Sequence, residues 1–141
     1  MFRYLNHRFH WNNISFQIPD GFYFDCDPDA PGKNTMWLIS PDRSFHISID
    51  IVTHTKDTFQ ALKEEITDMM PQYISPIEPI SLNGLHGHHA SYRLMHPRYY
   101  EIFLNLGNGE LLNIVMWSTD DDIYDKTTAA IAAFNFRLAD K

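Results

Sequence analysis

Residues 44–52 read Ser-Phe-His-Ile-Ser-Ile-Asp-Ile-Val. Phe45, Ile47, Ile49 and Ile51 alternate with Ser44, His46, Ser48 and Asp50, the two-residue period of a strand with one apolar and one polar face. Upstream, Ile14–Ile18 alternates in the same way, Tyr23–Asp25 reads as a short strand, and Thr35–Ile39 reads as another. Pro41-Asp42-Arg43 turns the chain into the 44–52 strand. Downstream the period becomes helical: Phe59, Leu62, Ile66 and Met69 share one helix face, Asp57 with Gln60 forms a capping arrangement, and Pro71 ends it. Pro76 and Pro79 suit an edge strand or extended connection through Ile74–Leu82, and Asn83-Gly84 is a tight-turn signal. Three strands follow, His88–Met95, Tyr99–Leu106 and Glu110–Ser118, the last two joined by Gly107-Asn108-Gly109. Glu110–Ser118 is apolar on both faces, which predicts a central strand, with Trp117 in the core at its end. Asp120-Asp121-Asp122 opens a second helical stripe, Ile123, Thr127, Ala130, Ile131 and Phe134, and Phe134–Leu138 closes as a short strand.

Hairpin-length connections demand antiparallel neighbours, and two helices cannot supply the crossovers of an all-parallel sheet. The fold class is therefore α+β: a twisted antiparallel β-sheet with helices packed on it, in a single domain spanning 1–141.

Composition narrows the function classes. Hydrophobic residues make up 44% and aromatics 14%, so the chain is neither disordered nor, with the single Cys26, a disulfide scaffold. The net charge of −7, with no basic patch, argues against nucleic-acid binding. Protonating all eight histidines would carry that charge from −7 to +1, which makes solubility depend on pH. The first ten residues hold no signal-peptide apolar region, and no window reaches the ~18 apolar residues of a membrane span. A cytoplasmic location is expected, since a lone cysteine suits a reducing compartment.

The order of motifs resembles a known group. Ile-Ser-Phe-Gln-Ile-Pro-Asp-Gly-Phe at 14–22 opens the core, and a helix of the Phe59–Met70 kind follows the long strand. Then come Ile-Ser-Leu-Asn-Gly-Leu-His-Gly at 80–87, two long strands, an alanine-bearing helix and Phe-Asn-Phe at 134–136. This resembles the PsbP/Mog1-like superfamily of small α/β proteins, which includes bacterial members of unassigned function. The resemblance covers most of 12–138 and implies an antiparallel sheet sandwiched by helices, an α/β/α sandwich. It also implies a binding or accessory role, and it carries over no functional residues.

Several constellations invite chemistry. Leu85-His86-Gly87-His88-His89 is the densest histidine segment; on a strand, His86 and His88 would point the same way about 7 Å apart, a spacing two metal ligands can bridge. His46, Asp50, His54 or His96 would supply a third ligand. Against this, no HExxH or CxxC accompanies the segment, and polar residues are expected after a turn. Asp25, Asp27 and Asp29 begin like an EF-hand loop, but Ala30 and Met36 stand where glycine and glutamate are needed, so the stretch reads as an acidic surface loop. No GxSxG, P-loop or GxGxxG occurs, and carboxylates around Cys26 disfavour its thiolate. Grouping strands by polarity places His46 and Asp50, His89 and Arg93, and Tyr99, Glu101 and Phe103 on one mixed sheet face, which is either an ordinary solvent-facing or helix-covered side or a surface for another protein.

The sequence thus points to a non-catalytic protein-binding or accessory module. Its expected partner is another protein, with no cofactor, nucleic acid or membrane, and it is expected as a monomer or weak homodimer. The alternatives are a metal-dependent or acid–base enzyme using the clustered histidines and acids, and a small-ligand-binding protein.

Overall fold

Thirteen elements follow one another in the computed structural model, which describes residues 2–5, 8–11, 14–18, 21–24, 35–53, 56–71, 73–94, 98–118 and 134–138. They are β1 (Phe2–Leu5), β2 (Arg8–Trp11), β3 (Ile14–Phe16), β4 (Tyr23–Phe24), β5 (Thr35–Ile39), β6 (Phe45–Thr53), α1 (Thr58–Asp68), β7 (Tyr73–Ile74), β8 (Glu78–Leu82), β9 (Leu85–Arg93), β10 (Arg98–Gly107), β11 (Glu110–Ser118) and β12 (Arg137–Leu138). The main sheet runs β4-β5-β6-β11-β10-β9-β7, with β8 also paired to β9, and every pairing in it is antiparallel. A smaller antiparallel sheet runs β1-β2-β3-β12.

The expected α+β architecture is present, with one helix packed on a mostly antiparallel sheet. The second helix, expected from Ile123 onward, lies outside the described residues, as do Asp120–Asp122 and the acidic loop with Cys26. The Pro-bearing stretch splits into β7 and β8, both on the outer side of β9, where a missing N–H is tolerated. The strands Phe2–Leu5 and Arg8–Trp11 had no sequence expectation.

The alternation of 44–52 partitions the molecule. Phe45, Ile47, Ile49 and Ile51 enter one core with Leu112, Ile114 and Met116 of β11 and Ile102 and Leu104 of β10. The small sheet contributes Ile14 and Phe16, beside Phe134 and Phe136, to the same core. Phe134 and Phe136 stack at 5.1 Å, and Phe16 lies 5.6 Å from Phe136. Arg8 stitches this layer together. Its Nε and Nη2 donate to the Ser15 hydroxyl and carbonyl, and Nη2 also reaches the Asn135 carbonyl, while its buried Nη1 has no partner among the described residues.

On the opposite face, Ala61, Leu62 and Ile66 of α1 lie against Ala90, Tyr92, Phe103 and Leu111. Leu62 and Ile66 are fully buried and stabilise the docked helix by about 1.5–3 kcal/mol each. Asp57 caps the helix, its carboxylate accepting the Gln60 N–H at 2.8 Å, and Met70 leaves it with a positive φ of 51° just before Pro71. The hairpins take the expected turns: Asn83 and Gly84 have φ of 51° and 84°, and Asn108 and Gly109 have 56° and 76°. The Asn83 side chain also donates to the Phe136 carbonyl at 2.8 Å, tying its hairpin to the C-terminal segment.

Gly87 sits in mid-strand opposite Leu104, and its backbone runs so close to β10 that a β-carbon would lie 1.8 Å from the Phe103 carbonyl oxygen. Gly84, by contrast, has a φ of +84° with open space around it. Gly87→Ala should therefore cost several kcal/mol or abolish folding, because a backbone atom must move, whereas Gly84→Ala should cost only about 1 kcal/mol of turn strain. Urea denaturation of the two variants beside the parent measures both.

Candidate functional site

Strand register decides which polar side chains meet. On the helix-facing side of the main sheet, His46 is opposite Trp117, Ser48 opposite Val115, and Asp50 opposite Asn113. Trp117 is in turn opposite Tyr99, Val115 opposite Glu101, and Asn113 opposite Phe103. On β9 the partners of Tyr99, Glu101 and Phe103 are Tyr92, Ala90 and His88. His46, Asp50, Tyr99, Glu101 and Phe103 thus share one face, as the alternation suggested. His89 and Arg93 do not: they pair with Ile102 and Arg98 and lie on the other face. The grouping fails there because polarity inverts between neighbours. On β9 the apolar set Ala90 and Tyr92 faces the helix, while on β10 the helix side carries Glu101. His89 instead hydrogen-bonds the Tyr100 hydroxyl, and burial lowers its pKa.

The face is built in two parts. One is a row of aromatic rings crossing the strands. His46 stacks on Trp117 at 5.2 Å, Trp117 on Tyr99 at 6.1 Å, and Tyr99 on Tyr92 at 5.2 Å. Trp37 meets Trp117 edge-on at 6.0 Å and is 38% exposed. Ring faces within the row are used by each other, so the row offers edges and the outlying Trp37 to its surroundings. Trp117, expected as core, is half-buried.

The other part is a groove of about 410 Å³ between α1 and the sheet, lined by Asp50, Glu64, Glu65, Asp68, Phe103 and Asn113 among others. Asp50 and Trp37 are diagonal neighbours across the β5–β6 pair, so groove and row adjoin. Beneath them Glu101 is 0% exposed. Its Oε1 accepts the Tyr92 hydroxyl at 2.8 Å and its Oε2 the Asn113 amide at 2.9 Å. Burial, then the Glu65 carboxylate of α1, push the Glu101 carboxyl up to about 8, against the two donors, which pull it down. Burial and the Glu101 charge likewise push the Tyr92 phenol up.

The histidine segment lies at the other end of the helix. His86 and His88 share a face of β9 and line a second groove of about 450 Å³ with Asp57, Thr58, Ser81 and Asn105. The His88 Nδ1 and the Thr58 hydroxyl are hydrogen-bonded at 2.8 Å, and its ring meets Phe59 edge-on. Among the described residues no three His, Cys, Asp or Glu side chains are placed to hold a metal ion. His54 and His96 lie outside those residues.

Sequence reasoning missed Tyr92, Asn113 and Glu65 as partners of Glu101, and it left Trp37 unassigned. The available signal was one acidic residue in the apolar run Tyr99–Leu106, which announces a buried carboxyl in need of donors.

Comparison with solved structures places this architecture. The solution structure of cyanobacterial PsbP (CyanoP) from Synechocystis sp. PCC 6803 matches with a TM-score of 0.60 over 98% of this chain and 91% of that one, at 11% identity. The chain has a PsbP-like fold. A crystal structure of a Bacteroides thetaiotaomicron protein matches with a TM-score of 0.55 at 12% identity, over 91% of this chain but only 46% of that one. No family model matches the sequence, and no curated relative does. At such identities the PsbP-like likeness speaks for the fold alone. None of the described helices is long and apolar enough to cross a membrane.

The hydroxyl of Tyr92 is tested directly by Tyr92→Phe, which keeps the stacked ring and deletes the donor. The variant should lose about 1–3 kcal/mol of stability in urea denaturation at pH 6, the effect of stripping a partner from a buried carboxyl.

Proposed function

We propose that the chain is a non-catalytic binding module that takes an extended basic segment of another protein across the helix-facing side of its main sheet. The observation that carries this reading is the exposed Trp37, at the end of an aromatic row and diagonal to Asp50 at the carboxylate-lined groove. Aromatic rings and carboxylates together suit lysine and arginine side chains, through cation–π contacts and ion pairing, and leave the apolar stems against ring edges. The net charge of −7 steers such a partner inward and repels a phosphate backbone. On this reading the module acts in a reducing compartment such as the cytoplasm, which its single cysteine suits.

A ten-residue peptide alternating lysine with leucine, and its glutamate-for-lysine counterpart, test the reading through intrinsic tryptophan fluorescence. The lysine peptide should bind in the micromolar range and weaken with salt, and the glutamate peptide should not bind. Trp37→Ala and the pair Glu64→Gln with Asp68→Asn should each weaken binding at least fivefold. Equal binding of both peptides, no binding of either, or indifference to Trp37→Ala would overturn it.

A further inference from the structure

Glu101 is a fully buried carboxyl whose two hydrogen-bond donors, Tyr92 and Asn113, are both neutral. Among the described residues, the titratable groups on the elements around it are mostly acidic or neutral. From α1 come Glu64, Glu65 and Asp68, from β6 comes Asp50, and β10 itself adds Tyr99. Strand β9 contributes Tyr92 and, four residues before it on the same face, His88, whose ring nitrogen is held by Thr58. Strand β11 presents Asn113, Val115 and Trp117, none of them charged. Of the lysines at the helix, Lys56 pairs with Glu64 and Lys63 is exposed. The exposed Glu65 of α1 lines the groove together with Asn113, the Glu101 donor, and its carboxylate acts on Glu101 through charge and a side-chain hydrogen bond. Two carboxyl groups in such contact can satisfy each other only while one of them keeps a proton.

We propose that one proton, carried by Glu101 and donated to Glu65, latches α1 onto the sheet, and that losing it loosens the helix and widens the groove beneath. This goes beyond the binding reading and does not need it. With the proton in place, both Glu101 oxygens accept from neutral donors and its hydroxyl donates to the helix. Without it, a buried carboxylate faces the Glu65 carboxylate of α1. The raised Glu101 pKa of about 8, against an ordinary 4.5, gives the window. The docked state binds the proton more tightly than the undocked one, so the latch is fully engaged below the ordinary glutamate range. It weakens as pH rises and reaches its limit once pH passes about 8.

Hydrogen exchange of the backbone amides of 58–68, corrected for intrinsic rates, reads the latch directly from pH 6 to 9. In the parent protein, opening of α1 should rise with pH up to 8, by at most about tenfold per unit, and then level off, while β6 and β11 amides keep their protection. Glu101→Gln, which cannot ionise, should give a flat profile. Glu65→Gln changes an exposed helix position and should move the midpoint to lower pH, because it removes the repelling charge. A flat profile in the parent would overturn the proposal, as would a parent-like profile in Glu101→Gln. Should Glu101→Gln fail to fold, Glu65→Gln decides alone: a shifted midpoint supports the latch, and an unshifted one overturns it.

Discussion

The alignment of β11 between β6 and β10 is the constraint from which the rest follows. Because Ile114 sits opposite both Ile49 and Ile102, one face of three adjacent strands becomes continuous hydrocarbon. The same register commits the other face. It lines up His46, Trp117 and Tyr99 as an aromatic row and places Glu101 beside Val115, under α1. A slip of one residue would drive Glu101 into the phenylalanine-rich core and bring Ile102 out under the helix, exchanging every side chain between faces. The register is therefore strongly specified, and the polar site is a by-product of the alignment that makes the core.

The two faces are held by different physics. The side with the small sheet is a dry cluster of fully buried side chains, among them Phe16, Phe45, Phe134, Ile47 and Ile49. On the helix side the buried cluster is smaller, with Leu62 and Ile66 of α1 set against Tyr92, Phe103 and Leu111. Below that short apolar contact lie a buried carboxyl and its donors. Burying a neutral carboxyl with three hydrogen-bonding partners costs far less than burying a carboxylate. The helix docked over that cluster is the element that would feel the difference.

Much of the fold was legible in the sequence. Period two over 44–52 and 99–106 and the two-faced run 110–118 identified β6, β10 and β11, and the stripe through Phe59, Leu62, Ile66 and Met69 identified α1. These elements are long, and each has an apolar face or stripe that is buried, on one side of the sheet for the strands and against its other side for α1. Phe2–Leu5 and Arg8–Trp11 were not legible, because runs of four residues are too short for alternation to stand out. The site was half legible. Alternation sorted each strand correctly within itself, yet Tyr99, Glu101 and Phe103 were grouped with His89 and Arg93, which face the other way. Polarity reports which side of one strand is wet. Only register relates the sides of two strands, and register depends on the Gly107–Gly109 turn and on the unread approach of Gly87 to β10.

The likeness to PsbP at 11% identity fits this division. What such distant chains share is the order of strands and the apolar alternation that seats them, since hydrophobic side chains of suitable volume replace one another at small cost. A buried Glu101 has no such freedom. It must be matched by Tyr92 on β9, Asn113 on β11 and Glu65 on α1, four residues on four elements with one arrangement that satisfies them. Buried polar clusters are often no more stabilising than apolar residues of the same size, so packing alone does not require one in the middle of β10. The particular behaviour of this chain therefore has to be sought in the helix–sheet cluster and the aromatic row beside it, and not in the fold they stand on.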